Sequence, residues 1–196
     1  RLFSPGMRRV TLVCCLLMIW TGAASQSAWV WGPEILQVLH HGKEIGLYAF
    51  SVAEVTGCVG TFFAMATIDR LGRRPLLLAS YLLGVGVFGA LTCGLSLAGL
   101  VAAWQVLGFV QGLMWSATTT YTGEVFPTAL RGLASGFANL WGRTALAVAP
   151  IVVGSLLGSH REHATSASSQ KMLLVIMAFF GCGALSVGLV PQETAC

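Results

Sequence analysis

The sequence predicts an all-α membrane protein with six membrane-spanning helices. Three observations carry this: a composition poor in charge, six long apolar segments, and charge concentrated between those segments. Of the 196 residues, 56% are hydrophobic and 9% are charged, against roughly a quarter charged in soluble domains. Mean hydropathy is strongly positive. Crossing the hydrocarbon takes about 20 mainly apolar residues, and six such segments fall at 10–32, 45–68, 76–95, 99–123, 132–158 and 172–190. In lipid, backbone groups must pair internally, and nothing here alternates like a barrel strand, so each segment reads as a helix. A soluble six-helix bundle would need polar outer faces, which these segments lack. The first segment is too long and too mixed for a signal peptide and shows no small-residue cleavage site.

Taken in order, the elements are separated by polar punctuation. After the first helix, Glu34, His40, His41 and Lys43 place 33–44 in water. After the second comes "IDRLGRRP", residues 68–75, where Gly72 suits a tight turn and Pro75 suits the first turn of the next helix. After the fourth comes "YTGEVFPTALRG", residues 121–132, with Glu124 and Arg131 framing Pro127. After the fifth, 159–171 carries His160, Arg161, His163 and Lys171 and belongs in water. With both termini cytoplasmic, Arg1, Arg8, Arg9, Arg70, Arg73, Arg74 and Arg131 lie inside, while Lys43, Arg161 and Lys171 lie outside. Seven against three selects this orientation by the positive-inside rule. The net charge of +4 reflects that asymmetry, and no nucleic-acid partner is expected.

Topology explains arginines in inner loops but not the acids beside them. Asp69 and Glu124 sit at helix C-termini, where a carboxylate opposes the dipole unless it is paired. Cross-pairing answers this: Glu124 with Arg73 or Arg74, and Asp69 with Arg131. Together with Arg70, these residues form a candidate cytoplasmic charge lock tying the second and third helices to the fourth and fifth.

These loops also carry a family resemblance. "DRLGRR" resembles the D-R-x-G-R-R loop of the major facilitator superfamily, and "EVFPTALRG" resembles its E-x-x-P-T-x-x-R-G signature. "VPQETA", residues 190–195, is similar to the L-P-x-E-T-x-G ending, with Ala195 where that variant has glycine. The pattern most resembles the synaptic-vesicle-protein-related, organic-ion and sugar transporter subgroups, partly through Arg143 in "NLWGRTALAVAP". The resemblance implies a C-terminal six-helix half-bundle of a twelve-helix fold, working by alternating access around a central site. Its partner, the N-terminal six-helix half, is absent from this chain, which opens on Arg1, so upstream sequence is expected. The weak internal repeat of three helices plus three expected inside such a half is not visible in the sequence.

In this superfamily the first and fourth helices of each half line the cavity, and the residues here suit that role. In the fourth, Trp104, Gly108, Gln111, Trp115, Thr118 and Thr122 recur at three or four residues and form one polar-aromatic stripe. In the first, Thr21, Ser25 and Trp29 do the same, with Gln26 beside them. Such groups favour a wet face, because an unsatisfied amide in hydrocarbon costs several kcal/mol. Interhelical hydrogen bonding without a solute is the alternative for each of them. Ser135, Asn139 and Arg143 share one face of the fifth helix.

Glu54 and Arg143 are intramembrane charges, which usually face a cavity or each other. Glu54 lies 15 residues from Asp69 and Arg143 lies 12 from Arg131. At 1.5 Å per residue, both stand roughly 18–23 Å above the inner face. Arg143 is expected to bind an anionic group or Glu54, and Glu54 is the candidate proton carrier. Static packing charges are the alternative for both.

Other signals fail on context. Gly84-Val-Gly86-Val-Phe-Gly89 spells a dinucleotide fingerprint, but it lies inside a membrane helix with no strand before it. There is no phosphate-binding G-x-x-x-x-G-K-[ST] loop, no C-x-x-C and no plausible Ser-His-Asp set. No enzymatic activity, metal or cofactor is expected beyond a coupled proton or sodium ion. The leading expectation is a secondary transporter, symporter or uniporter, moving a small organic ion or sugar-like metabolite across a plasma or vesicle membrane. The second is a transporter-like protein that no longer transports and acts as a receptor or binding partner.

Overall fold

The structure, a computed structural model, describes residues 2–4, 7–40, 43–155 and 166–190. Six helices follow one another: α1 (Arg8–His40), α2 (Lys43–Leu71), α3 (Arg73–Thr92), α4 (Leu97–Glu124), α5 (Thr128–Ser155) and α6 (Ser166–Gly188). All six include a stretch long and apolar enough to cross a membrane, and no strand occurs among the described residues.

Several boundaries differ from expectation. The expected loop at 33–44 is largely helical: α1 runs through Pro33 to His40. Ile35 is buried at 1% exposure, and Trp31 Nε1 donates to Pro150 O at 2.8 Å, so tertiary contacts hold the turn on either side of the proline. Conversely, α3 stops at Thr92, three residues early. Gly94 takes φ 74°, and the Ser96 side chain caps α4 by accepting from Gly99 N at 3.3 Å. Beyond Pro127, α5 starts at Thr128, which moves Arg131 from the loop into the helix. Gly72 is the single residue between α2 and α3, at φ 86°, where a side chain would be strained. Of the outer loop expected at 159–171, residues 166–171 already belong to α6, while 156–165 and the tail from Pro191 onward lie outside the described residues.

Packing follows a pattern the sequence concealed. The extensive pairings are α2 with α4, α1 with α5, α3 with α6, α3 with α4 and α1 with α6. Exchanging α1 with α4, α2 with α5 and α3 with α6 maps this set onto itself. The bundle is therefore two three-helix units in matching arrangements, the relation seen in transporter half-bundles.

Small residues make the two largest pairings possible. A Cβ on Gly112 would fall against the carbonyl oxygen of Gly57, and one on Gly108 against that of Ala53. Across α1 and α5, a Cβ on Gly22 would stand 2.6 Å from Gly142 O. Backbones meet directly here, as expected where lipid supplies no hydrophobic drive and close packing does. The outer surface is apolar: Tyr48, Val55, Phe62, Met65, Ile151 and Leu185 are 64–77% exposed. No soluble bundle tolerates such a surface, which removes that alternative.

Candidate functional site

Four helices, α1, α2, α4 and α5, line an open cavity of about 420 Å³ with mixed polar and apolar walls. It is lined by Ser25, Gln26 and Trp29 from α1, Gln111 and Trp115 from α4, and Arg143 from α5. Glu54 belongs to the α2 wall together with Gly57, Cys58 and Thr61. Thus seven of the expected residues, from four separate stretches of sequence, share one wall. Glu54 and Arg143 are both exposed to this space, and among the described residues neither makes an ion pair within 4.0 Å.

Hydrogen bonds hold part of this wall rigid. Ser25 Oγ accepts from Gln111 Nε2 at 2.5 Å and from Trp115 Nε1 at 3.0 Å, which fastens α1 to α4. Gln111 Oε1 is buried and has no partner among the described residues. From the wall, Trp29 packs against Phe50 and Phe50 against Trp104 with tilted rings, centroids 5.3 Å and 4.6 Å apart.

The expected stripes reach too far at their lower ends. Thr21 and Thr118 are fully buried and off the cavity wall. Their hydroxyls meet at 3.1 Å, and Thr21 also meets the Tyr81 hydroxyl at 2.7 Å. One turn along each helix from the wall, the groove between α1 and α4 is closed by Tyr81 of α3, so these polar groups satisfy one another. Trp104 and Thr122 are likewise buried. Asn139 also stands off the wall, donating from Nδ2 to Ser135 O at 3.0 Å. Sequence reasoning missed Tyr81, the only polar aromatic residue in α3. It also missed Cys58 and Thr61, which extending the Glu54 face by four and seven residues would have found.

The charge cluster at the opposite level is built differently from expectation. Arg73 Nε donates to Glu124 Oε2 at 2.8 Å and Nη2 to Glu124 Oε1 at 3.2 Å, a two-pronged contact between α3 and α4. The same Nη2 reaches Asp69 Oδ1 at 3.2 Å. Asp69 therefore pairs with Arg73 and not with Arg131, because a one-residue turn brings α3's first position under α2's last turn. Arg74 turns away toward Gly188 O at 3.5 Å. Among the described residues, Arg70 and Arg131 make no ion pair within 4.0 Å. Asp69 and Glu124 lie at helix C-termini and Arg73 at an N-terminus, each opposed by its own helix dipole. Their mutual contact offsets that, and the Asp69 side chain remains 76% exposed.

Relatives agree with this architecture. The chain is 29% identical to an arabinose-proton symporter of Bacillus subtilis over 72% of its length, covering 32% of that protein. It is 31% identical to a cis,cis-muconate transport protein of Acinetobacter baylyi over 83% of its length, covering 38% of that protein. It is 27% identical to an inner membrane metabolite transport protein of Escherichia coli over 96% of its length, covering 42% of that protein. The chain thus spans between about a third and two fifths of these relatives, all of which are transport proteins and not enzymes. Residues 12–193 match the Major Facilitator Superfamily. With six apolar helices, two matched three-helix units and this match along nearly its whole length, the chain is a multi-pass integral membrane protein that belongs to the Major Facilitator Superfamily and makes up roughly one half of its fold.

Proposed function

We propose that this chain is the C-terminal half of a secondary transporter that moves a small organic anion with a coupled proton. The observation that carries the reading is that Glu54 and Arg143, neither ion-paired among the described residues, line one cavity among membrane-spanning helices. An arginine presents a planar fork suited to a carboxylate or phosphate. Adding an anion to a cavity that already holds one acid and one arginine leaves a net negative charge, which protonation of Glu54 removes. A relative named as an arabinose-proton symporter supports the proton coupling, and one named as a cis,cis-muconate transport protein supports the anion. Uptake of labelled organic anions into vesicles carrying the full-length protein tests it. Uptake is expected to rise as external pH falls, and Glu54→Gln is expected to flatten that dependence. An unchanged profile in the variant removes Glu54 from proton coupling.

The Arg73–Glu124–Asp69 cluster serves in this reading as a cytoplasmic lock favouring one access state. Exposed pairs contribute about 0–1 kcal/mol each, enough to bias a balanced equilibrium without freezing it. Glu124→Gln, which loses a two-pronged contact, is expected to shift cysteine accessibility between the two membrane faces more than Asp69→Asn. Combining Glu124→Gln with Arg73→Gln should produce less than the sum of the separate shifts. Strict additivity would reduce the cluster to a topology signal.

A further inference from the structure

Beyond its two charges, the cavity wall offers unused neutral hydrogen-bonding capacity. Gln26 lines the space, and its amide makes no hydrogen bond among the described residues. Gln111 stands 13 residues along α4 from Glu124, or about 20 Å at 1.5 Å per residue, the same level as Glu54 and Arg143. Its amide gives only one contact, to Ser25, and leaves Oε1 unpaired among the described residues although the residue is 8% exposed. Ser25 Oγ already accepts from Gln111 Nε2 and from Trp115 Nε1, so it has no lone pair left to accept from a solute. An amide group left unpaired once water is excluded costs about 1–3 kcal/mol, and a cavity built only for a carboxylate and a hydrocarbon skeleton has no use for the Gln26 amide.

Building on the anion-transport reading, we propose that the solute is a hydroxylated organic anion, with its charged group toward Arg143 and its hydroxyl toward the Gln26 amide, beside Gln111. A hydroxyl both donates and accepts, so it matches a side-chain amide whichever of its two atoms faces the solute. The indoles of Trp29 and Trp115 supply flat apolar surface for the carbon skeleton between these groups. Water competes for the amide while the cavity is open. On closure, a solute lacking the hydroxyl strands that amide, and discrimination against such a solute follows.

Cys58 is exposed on the same wall and serves as a built-in reporter. The rate of its alkylation by N-ethylmaleimide, read by peptide mass spectrometry on full-length protein in liposomes, reports occupancy. Two matched pairs of acids are compared: 4-hydroxybenzoate with benzoate, and gluconate with hexanoate. In at least one pair, the hydroxylated acid is expected to protect Cys58 at about one tenth the concentration its partner needs, the scale set by a lost hydrogen bond to a desolvated group. Gln26→Leu breaks no hydrogen bond within the described residues, and it should shrink that gap to less than about threefold by weakening the hydroxylated acid alone. Arg143→Lys should weaken both members of the pair. Equal protection within both pairs, or an unchanged gap in Gln26→Leu and in Gln111→Leu, overturns the hydroxyl inference while leaving anion transport standing. Failure of all four acids to protect Cys58 overturns both.

Discussion

Gly112→Leu is expected to be the most disruptive single change for folding, because it would drive α2 and α4 apart along their seam. A Cβ at this position already meets the Gly57 carbonyl, its carbonyl carbon at 2.9 Å and the Thr61 nitrogen at 2.9 Å. All three are backbone atoms, which cannot turn aside as a side chain can. Overpacking typically costs about 1–3 kcal/mol, and a collision with backbone belongs at the upper end. The seam also forms the floor of the cavity, since Gly57, Gly108 and Gly112 line it. Thermal unfolding of the purified protein should therefore show a lowered Tm, with solute binding lost in parallel. Gly136→Ala is the control: a Cβ there meets nothing within 4 Å, and alanine is favoured over glycine in a helix by about 1 kcal/mol. A wild-type Tm for Gly112→Leu would show that the helices can separate at no cost, contrary to the packing described above.

Arg143→Lys is expected to have the largest effect on transport with the least effect on folding. Arg143 is exposed to the cavity and makes no ion pair among the described residues, so the fold does not depend on its guanidinium. Lysine keeps the charge but replaces a rigid two-pronged donor with a compact ammonium on a flexible stem. An anion held by two parallel hydrogen bonds then loses one of them along with its fixed orientation. With charge-assisted hydrogen bonds worth about 1.5–3 kcal/mol, the apparent KM should rise by about tenfold or more, or transport should cease, with Tm unchanged. Normal kinetics in this variant would leave Arg143 as a packing residue.

What the sequence alone determined is the class of the protein and the chemistry available to it. Low charge, six long apolar segments and two loops that combine acids with arginines lead to a bundle of six membrane helices. Residues as costly in hydrocarbon as Glu54 and Arg143 stand out from their neighbours without any knowledge of the fold, since each needs water, a partner or a solute. Periodicity then picked out Ser25, Gln111 and Trp115, which do share a wall. It failed one turn further along, because period reports which residues share a helix face and not what stands opposite that face. Thr21 and Thr118 lie on the same stripes as Ser25 and Gln111, yet Tyr81 of α3 closes over them and takes up their hydroxyls. Tertiary structure decided the pairing of charges in the same way. Asp69, Arg73 and Glu124 were all visible, but the one-residue turn at Gly72 sets Arg73 beneath Asp69 and leaves Arg131 in the first turn of α5. The matched three-helix units were the least legible feature of all. They reside in which helix packs on which, and very different side chains can fill equivalent contacts once small residues let the backbones approach.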